Sequence, residues 1–202
     1  MDQLRFAPAA ALAAIIGMAL AAPALADPPP LHGHSPIQPH HNKDGTLQRG
    51  PNYLLITGNW AGYAVGNFQT GQQYTAARAS WVVAPITFGP TLSDGSDEFA
   101  ASWVGIGGYC TDPNCFGVDP TLIQLGTTSE VAQDGTTTYS AFFEMLPQPP
   151  FTIPITIHAG DQVSAELQCA GSCKQKKQSW MLTMHNLTTN EVKKMNPGDS
   201  SY

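Results

Sequence analysis

A chain of 202 residues with four cysteines and a formal net charge of −6 is long enough for one domain with a sizeable core, and no shift of composition divides it into two. Between Arg49 and Lys174 the only basic residue is Arg78, against Asp94, Asp97, Glu98, Asp112, Asp119, Glu130, Asp134, Glu144, Asp161 and Glu166, a surface that excludes nucleic acid as a partner. With so few cations, protonating these carboxylates forfeits few ion pairs, which suits an acidic medium as well as it suits any soluble anionic surface.

In chain order, Arg5 and an apolar run from Ala9 to Leu20 precede small residues from Ala21 to Ala26, so residues 1–26 read as a secretory signal peptide. The run is shorter than the roughly 20 residues a membrane span needs, so no membrane association is expected after cleavage, and the destination is extracellular or periplasmic. Residues 27–50, rich in proline and histidine and without apolar periodicity, read as a flexible leader or pro-segment with no assigned site. The domain proper is 51–202. Outside the cytoplasm, Cys110, Cys115, Cys169 and Cys173 point to disulfides rather than zinc, with two local bridges preferred and long-range pairing left open.

From Tyr53 onward, short runs of Val, Ile, Thr and aromatic residues alternate with Gly, Pro, Asp and Asn. They predict strands at 53–57, 60–65, 74–83, 100–106, 121–125, 137–145, 152–158, 162–168 and 179–187, hence an all-β sandwich or barrel. Tight turns are predicted at Asp134-Gly135 and at Ala159-Gly160-Asp161, the latter as a hairpin. Residues 188–190 read as a turn, Glu191 to Met195 as the start of another strand, and Asn196 to Tyr202 as a loop without a following strand, so the sandwich is expected to lack its last strands.

No Gly-x-Ser-x-Gly, His-Glu-x-x-His or Gly-rich phosphate motif occurs, and His158 and His185 are the only histidines beyond the leader, both read as surface or structural. The remaining candidates are polar residues set in apolar strands. Alternation puts Leu122 and Gln124 on one face and Ile123 and Leu125 on the other, so Gln124 is either a structural hydrogen-bonder or a neutral donor aimed into a cleft. Glu144 shares a face with Phe142 at the end of an aromatic strand. Trp103 stands two residues from Gly105 on one face, leaving room for an extended ligand, although a core tryptophan has the same signature. Asn186-Leu187-Thr188 is a glycosylation sequon or an ordinary turn-flanking asparagine.

In order, Asn59-Trp60-Ala61-Gly62, Trp81 to Pro85, Trp103 to Gly108, Leu122 to Gly126, Tyr139 to Glu144 with Pro147, and Gly160-Asp161 resemble the successive motifs of the glutamic peptidases, or eqolisins, over about Asn59 to Thr189. The resemblance implies an antiparallel double-sheet, concanavalin- or lectin-like β-sandwich with a peptide cleft on one sheet. It further implies an acid endopeptidase acting on protein or peptide substrates as a monomer, without metal or cofactor. By the same resemblance Gln124 is the catalytic glutamine, Trp103 lines the cleft and Glu144 is a neighbour that shapes the site. In such a pair a glutamate activates water and the glutamine donates to the developing oxyanion. Gly107 and Phe142 depart from the aspartate and tryptophan many members carry. The family's Glu-Trp-Ile-x-Glu type motif, which bears its catalytic glutamate, does not occur before Tyr202, so the sequence is expected to be truncated ahead of that residue. A non-catalytic exported β-sandwich binding peptides or carbohydrates is the alternative.

Overall fold

The structure, a computed structural model, describes residues 31–51, 54–66, 73–89, 97–171, 173, 177–197 and 199–201. The expected signal peptide at 1–26 lies outside them. The described strands are β1 (Ala76–Val82), β2 (Glu98–Gly107), β3 (Leu122–Val131), β4 (Thr137–Met145), β5 (Phe151–Ile153), β6 (Gln162–Ala170), β7 (Lys177–Asn186), β8 (Glu191–Met195) and β9 (Asp199–Ser201). They form two antiparallel sheets, a four-stranded one in the order β2-β3-β4-β5 and a five-stranded one in which β1-β6-β7-β8 follow one another and β9 also pairs with β7.

Period-two alternation explains why the sheets stack. Ile123 and Leu125 of β3, Ala141 and Met145 of β4, Val163, Ala165 and Leu167 of β6, and Trp180, Leu182 and Met184 of β7 are buried together between the layers. Each such aliphatic side chain contributes about 1.5–3 kcal/mol by leaving water. A polar tie spans the layers: the Trp81 indole N–H of β1 donates to Thr127 Oγ1 of β3 at 3.0 Å.

Three expectations change. The runs 53–57 and 60–65 are not strands: among their described residues Leu55 and Thr57 form only isolated bridges, to Arg49 and Pro39, while Tyr63 and Val65 are exposed. Alternation there has no sheet edge to pair with; instead Leu55 and Trp60 pack on a small second core of Ile37, Cys110 and Cys115. The run 152–158 pairs only as far as Ile153, and 154–161 crosses from one sheet to the other, so Ala159-Gly160-Asp161 is not a hairpin turn. Ile155 and Ile157 nevertheless alternate into the main core with exposed Pro154 and Thr156 between. Finally, the stretch read as a loop after Asn196 contains β9, which extends the β8 edge by pairing with the part of β7, Lys177 to Ser179, that β8 leaves open. The Asp134-Gly135 turn does close a hairpin, with Gly135 at φ 83° donating to the Ala132 carbonyl.

Candidate active site

The site begins with register. Opposite Gln124 on β3 stand Gly105 on β2 and Glu144 on β4; opposite Gly126 stand Trp103 and Phe142. Because side chains alternate, the side chains of Gln124, Glu144, Trp103 and Phe142 project from the face of the four-stranded sheet that turns away from the core, with Gly105 and Gly126 at the same face. Asp134 sits midway between Gln124 and Glu144, so the turn that the sequence reveals is also what brings the two opposite each other. A Cβ on Gly126 would lie 2.7 Å from Cβ of Trp103 and would also run into the Ser102 carbonyl, and one on Gly105 would lie 3.0 Å from the indole Cζ3. Both glycines therefore make the bed on which the half-buried Trp103 rests. Trp60 meets Trp103 edge to face, with centroids 4.9 Å apart at 73°.

Gln124 and Glu144 are almost wholly removed from solvent, at 0% and 1% exposure, and their side chains touch: Gln124 Nε2 donates to Glu144 Oε2 at 2.6 Å. An amide nitrogen donates and cannot accept, so Glu144 Oε2 is the acceptor in this contact. Among the described residues, Gln124 Oε1 is buried without a partner. A buried unsatisfied oxygen costs about 1–3 kcal/mol, and groups of this kind concentrate at sites built to meet a ligand or water.

The remaining acceptor capacity of Glu144 is used by a residue the sequence analysis assigned to no site. The His34 backbone N–H reaches Oε2 at 3.2 Å and Oε1 at 3.3 Å, and its ring Nδ1 lies 3.0 Å from Oε2. The same imidazole stacks on Phe142, centroids 4.7 Å apart at 14°, while His32 stacks on Phe99 of β2 at 3.8 Å and 4°. Further along, the Trp60 indole N–H donates to the Ser35 carbonyl at 3.1 Å and the Ile37 N–H to the Gly108 carbonyl at 2.8 Å. Residues 32–37 thus lie across the face that carries Gln124. The one sequence signal for this was the His-x-His spacing, which puts two rings on the same side of an extended chain.

The other candidates sit elsewhere. Cys110 is bonded to Cys115 and Cys169 to Cys173. Asn186, the asparagine of the sequon, is fully buried: its amide donates to the Thr156 carbonyl and to Asp161 Oδ2, and its oxygen accepts from the N–H groups of Thr188 and Thr189, which leaves no nitrogen for a glycan. His158 is largely exposed and His185 lies in β7 on the other sheet. An open depression lined by Glu166, Gln168, Met181, Thr183 and Lys194 is also on that sheet and shares no residue with the Gln124 face. Among the described residues no group of three or more His, Cys, Asp or Glu side chains is arranged to hold a metal ion. Gly107, where many glutamic peptidases carry aspartate, has φ 88°, and a Cβ there would lie 2.6 Å from the Thr121 carbonyl oxygen, so the backbone path itself calls for glycine.

A family model described as the Peptidase A4 family matches residues 58–196. The chain belongs to this family. These are the glutamic peptidases that the motif order resembles, and membership supports a peptidase hydrolase. In this A4 family chain the matched span contains Trp103, Gln124 and Glu144 but begins after the segment that carries His32 and His34. Searches among curated proteins and among solved structures returned no match.

Proposed function

We propose that this chain serves acid proteolysis outside the cytoplasm, with its peptide cleft on the outer face of β2, β3 and β4 and Gln124 as the donor to the oxyanion. The observation that carries the reading is the buried 2.6 Å contact between Gln124 and Glu144 beside Trp103. A preorganised amide in a site shielded from water stabilises a developing oxyanion strongly, because it needs no reorientation as charge appears. Glu144 is the positioning residue: by accepting one amide hydrogen it holds the other pointed into the cleft. It is poorly placed as the base, since direct contact with the amide leaves no space for a water and a scissile carbonyl between them. Hydrolysis therefore calls for a second carboxylate, and the Glu-Trp-Ile-x-Glu type motif expected to bear it is not among residues 1–202. Acid solution suits the chemistry, because the departing amine must be protonated. Export is supported by the composition of residues 1–26 and by the two disulfides.

A second reading, a peptide-binding sandwich without catalysis, is favoured by the seating of residues 32–37 on the same face. Digestion of an unfolded protein substrate at acidic pH separates the two. In a form of the protein that carries the second carboxylate, cleavage that falls by about 100-fold or more in Gln124→Ala is the result expected for an oxyanion donor. Peptide binding with no cleavage by that form at any acidic pH selects the second reading.

A further inference from the structure

The peptide that already lies in the cleft shows what the cleft can recognise. From its geometry we infer that Phe142 and Glu144 form a subsite selective for a histidine side chain, so that the peptides this cleft takes carry histidine at that position. The inference rests on the reading of this face as a peptide cleft. The imidazole of His34 meets two complementary surfaces at once: its flat face lies on the Phe142 ring, 4.7 Å between centroids, and its Nδ1 edge is 3.0 Å from Glu144 Oε2. An aliphatic side chain satisfies neither, and phenylalanine satisfies only the first. The backbone N–H of the same residue also reaches the Glu144 carboxylate, which fixes the register of the bound strand. Two residues earlier His32 stacks on Phe99, whose ring is about half exposed in spite of the contact and forms an open shelf at the cleft's rim. Occupancy by the chain's own segment is stabilised from outside the subsite, by Trp60 on Ser35, Asn59 on Gln38 and burial of Ile37. Among the described residues the imidazole Nε2 of His34 is buried without a partner, so they do not bond the seat on every side.

The test is a binding measurement that does not depend on cleavage. A fluorescein-labelled octapeptide with the sequence of residues 31–38, and a second with alanine in place of its His34 equivalent, are titrated by anisotropy against the full chain carrying His32→Ala, His34→Ala and Ile37→Asp, which removes the resident rings and the buried side chain that anchors the segment. The histidine peptide is expected to bind at least about tenfold more tightly, the gain of a stacked and hydrogen-bonded contact. In the same background Glu144→Gln and, separately, Phe142→Leu are expected to shrink that ratio. Glu144→Gln keeps the side chain's size, so it retains the test if replacing the buried Phe142 prevents folding. Equal binding of the two peptides, binding of neither, or a ratio unchanged in a folded Glu144→Gln chain would overturn the subsite. Mass spectrometry of the same mixtures reports cleavage separately: discrimination without cleavage keeps the subsite, and cleavage indifferent to histidine keeps the peptidase reading and removes the subsite.

Discussion

Single residues in this protein divide by what their polar atoms meet. Gln124 is buried with its amide nitrogen bonded to Glu144 and, among the described residues, no partner on its oxygen, whereas Asn186 is equally buried with both ends engaged. The sequence distinguishes neither, since both are amides in β-type runs. Asn186→Ala strands the Thr156 carbonyl, Asp161 and two turn N–H groups together. It is expected to destabilise the fold by about 2–4 kcal/mol, read as a lowered urea midpoint, with no change in electrophoretic mobility attributable to a lost glycan. A wild-type chain carrying sugar at Asn186 would contradict the buried geometry.

At the scale of elements, the β3–β4 hairpin creates the site and the glycines of β2 and β3 give it room. Hairpin register follows from turn geometry, so Asp134-Gly135 commits Gln124 to face Glu144, and a slip by one residue would turn both into the core. Gly126→Ala is expected to force β2 and β3 apart at Trp103, costing about 1–3 kcal/mol and weakening peptide binding more than a similar loss of stability elsewhere in β3 would. Anisotropy titration alongside a denaturation curve checks both parts. The Cys110–Cys115 bridge works on a different element, the loop on which Ile37 and Trp60 rest. Replacing both cysteines by serine is expected to cost about 2 kcal/mol of loop-closure entropy and to raise hydrogen exchange at residues 37–60 ahead of the sandwich strands. Uniform loss of protection through both sheets would show that the loop is not a separate unit.

For the whole molecule, three carboxylates in turns connect the charge pattern to acid behaviour. Hydrogen bonds from the Gly117 backbone to Asp112, from the Thr46 hydroxyl to Asp44 and from the Thr136 hydroxyl to Asp134 hold each below the ordinary value of 3.8. A depressed carboxylate stabilises the fold fully above its unfolded value and loses that contribution only as pH falls through the lower folded value. The three turns they support should therefore keep their shape down to pH values below 3.8. Asp112→Asn is expected to lower the melting temperature at about pH 5 and to converge on the wild type in stronger acid; a difference that widens on acidification would reverse the sign. Alternation along the chain was enough to predict an all-β sandwich or barrel and to put Gln124 on the face opposite Ile123 and Leu125, because which side of a strand a residue takes is a local property of a pleated backbone; the choice of the sandwich and of Gln124 as a site residue rests on the family resemblance. Runs such as 53–57 and 152–158 had the same alternation and found little or no edge, since pairing depends on what else is nearby. The seating of His34 on Glu144, 110 residues away, was decided by tertiary structure alone: it follows from the docking of Ile37, Leu55 and Trp60 around a disulfide, and no local pattern encodes where a docked segment ends up.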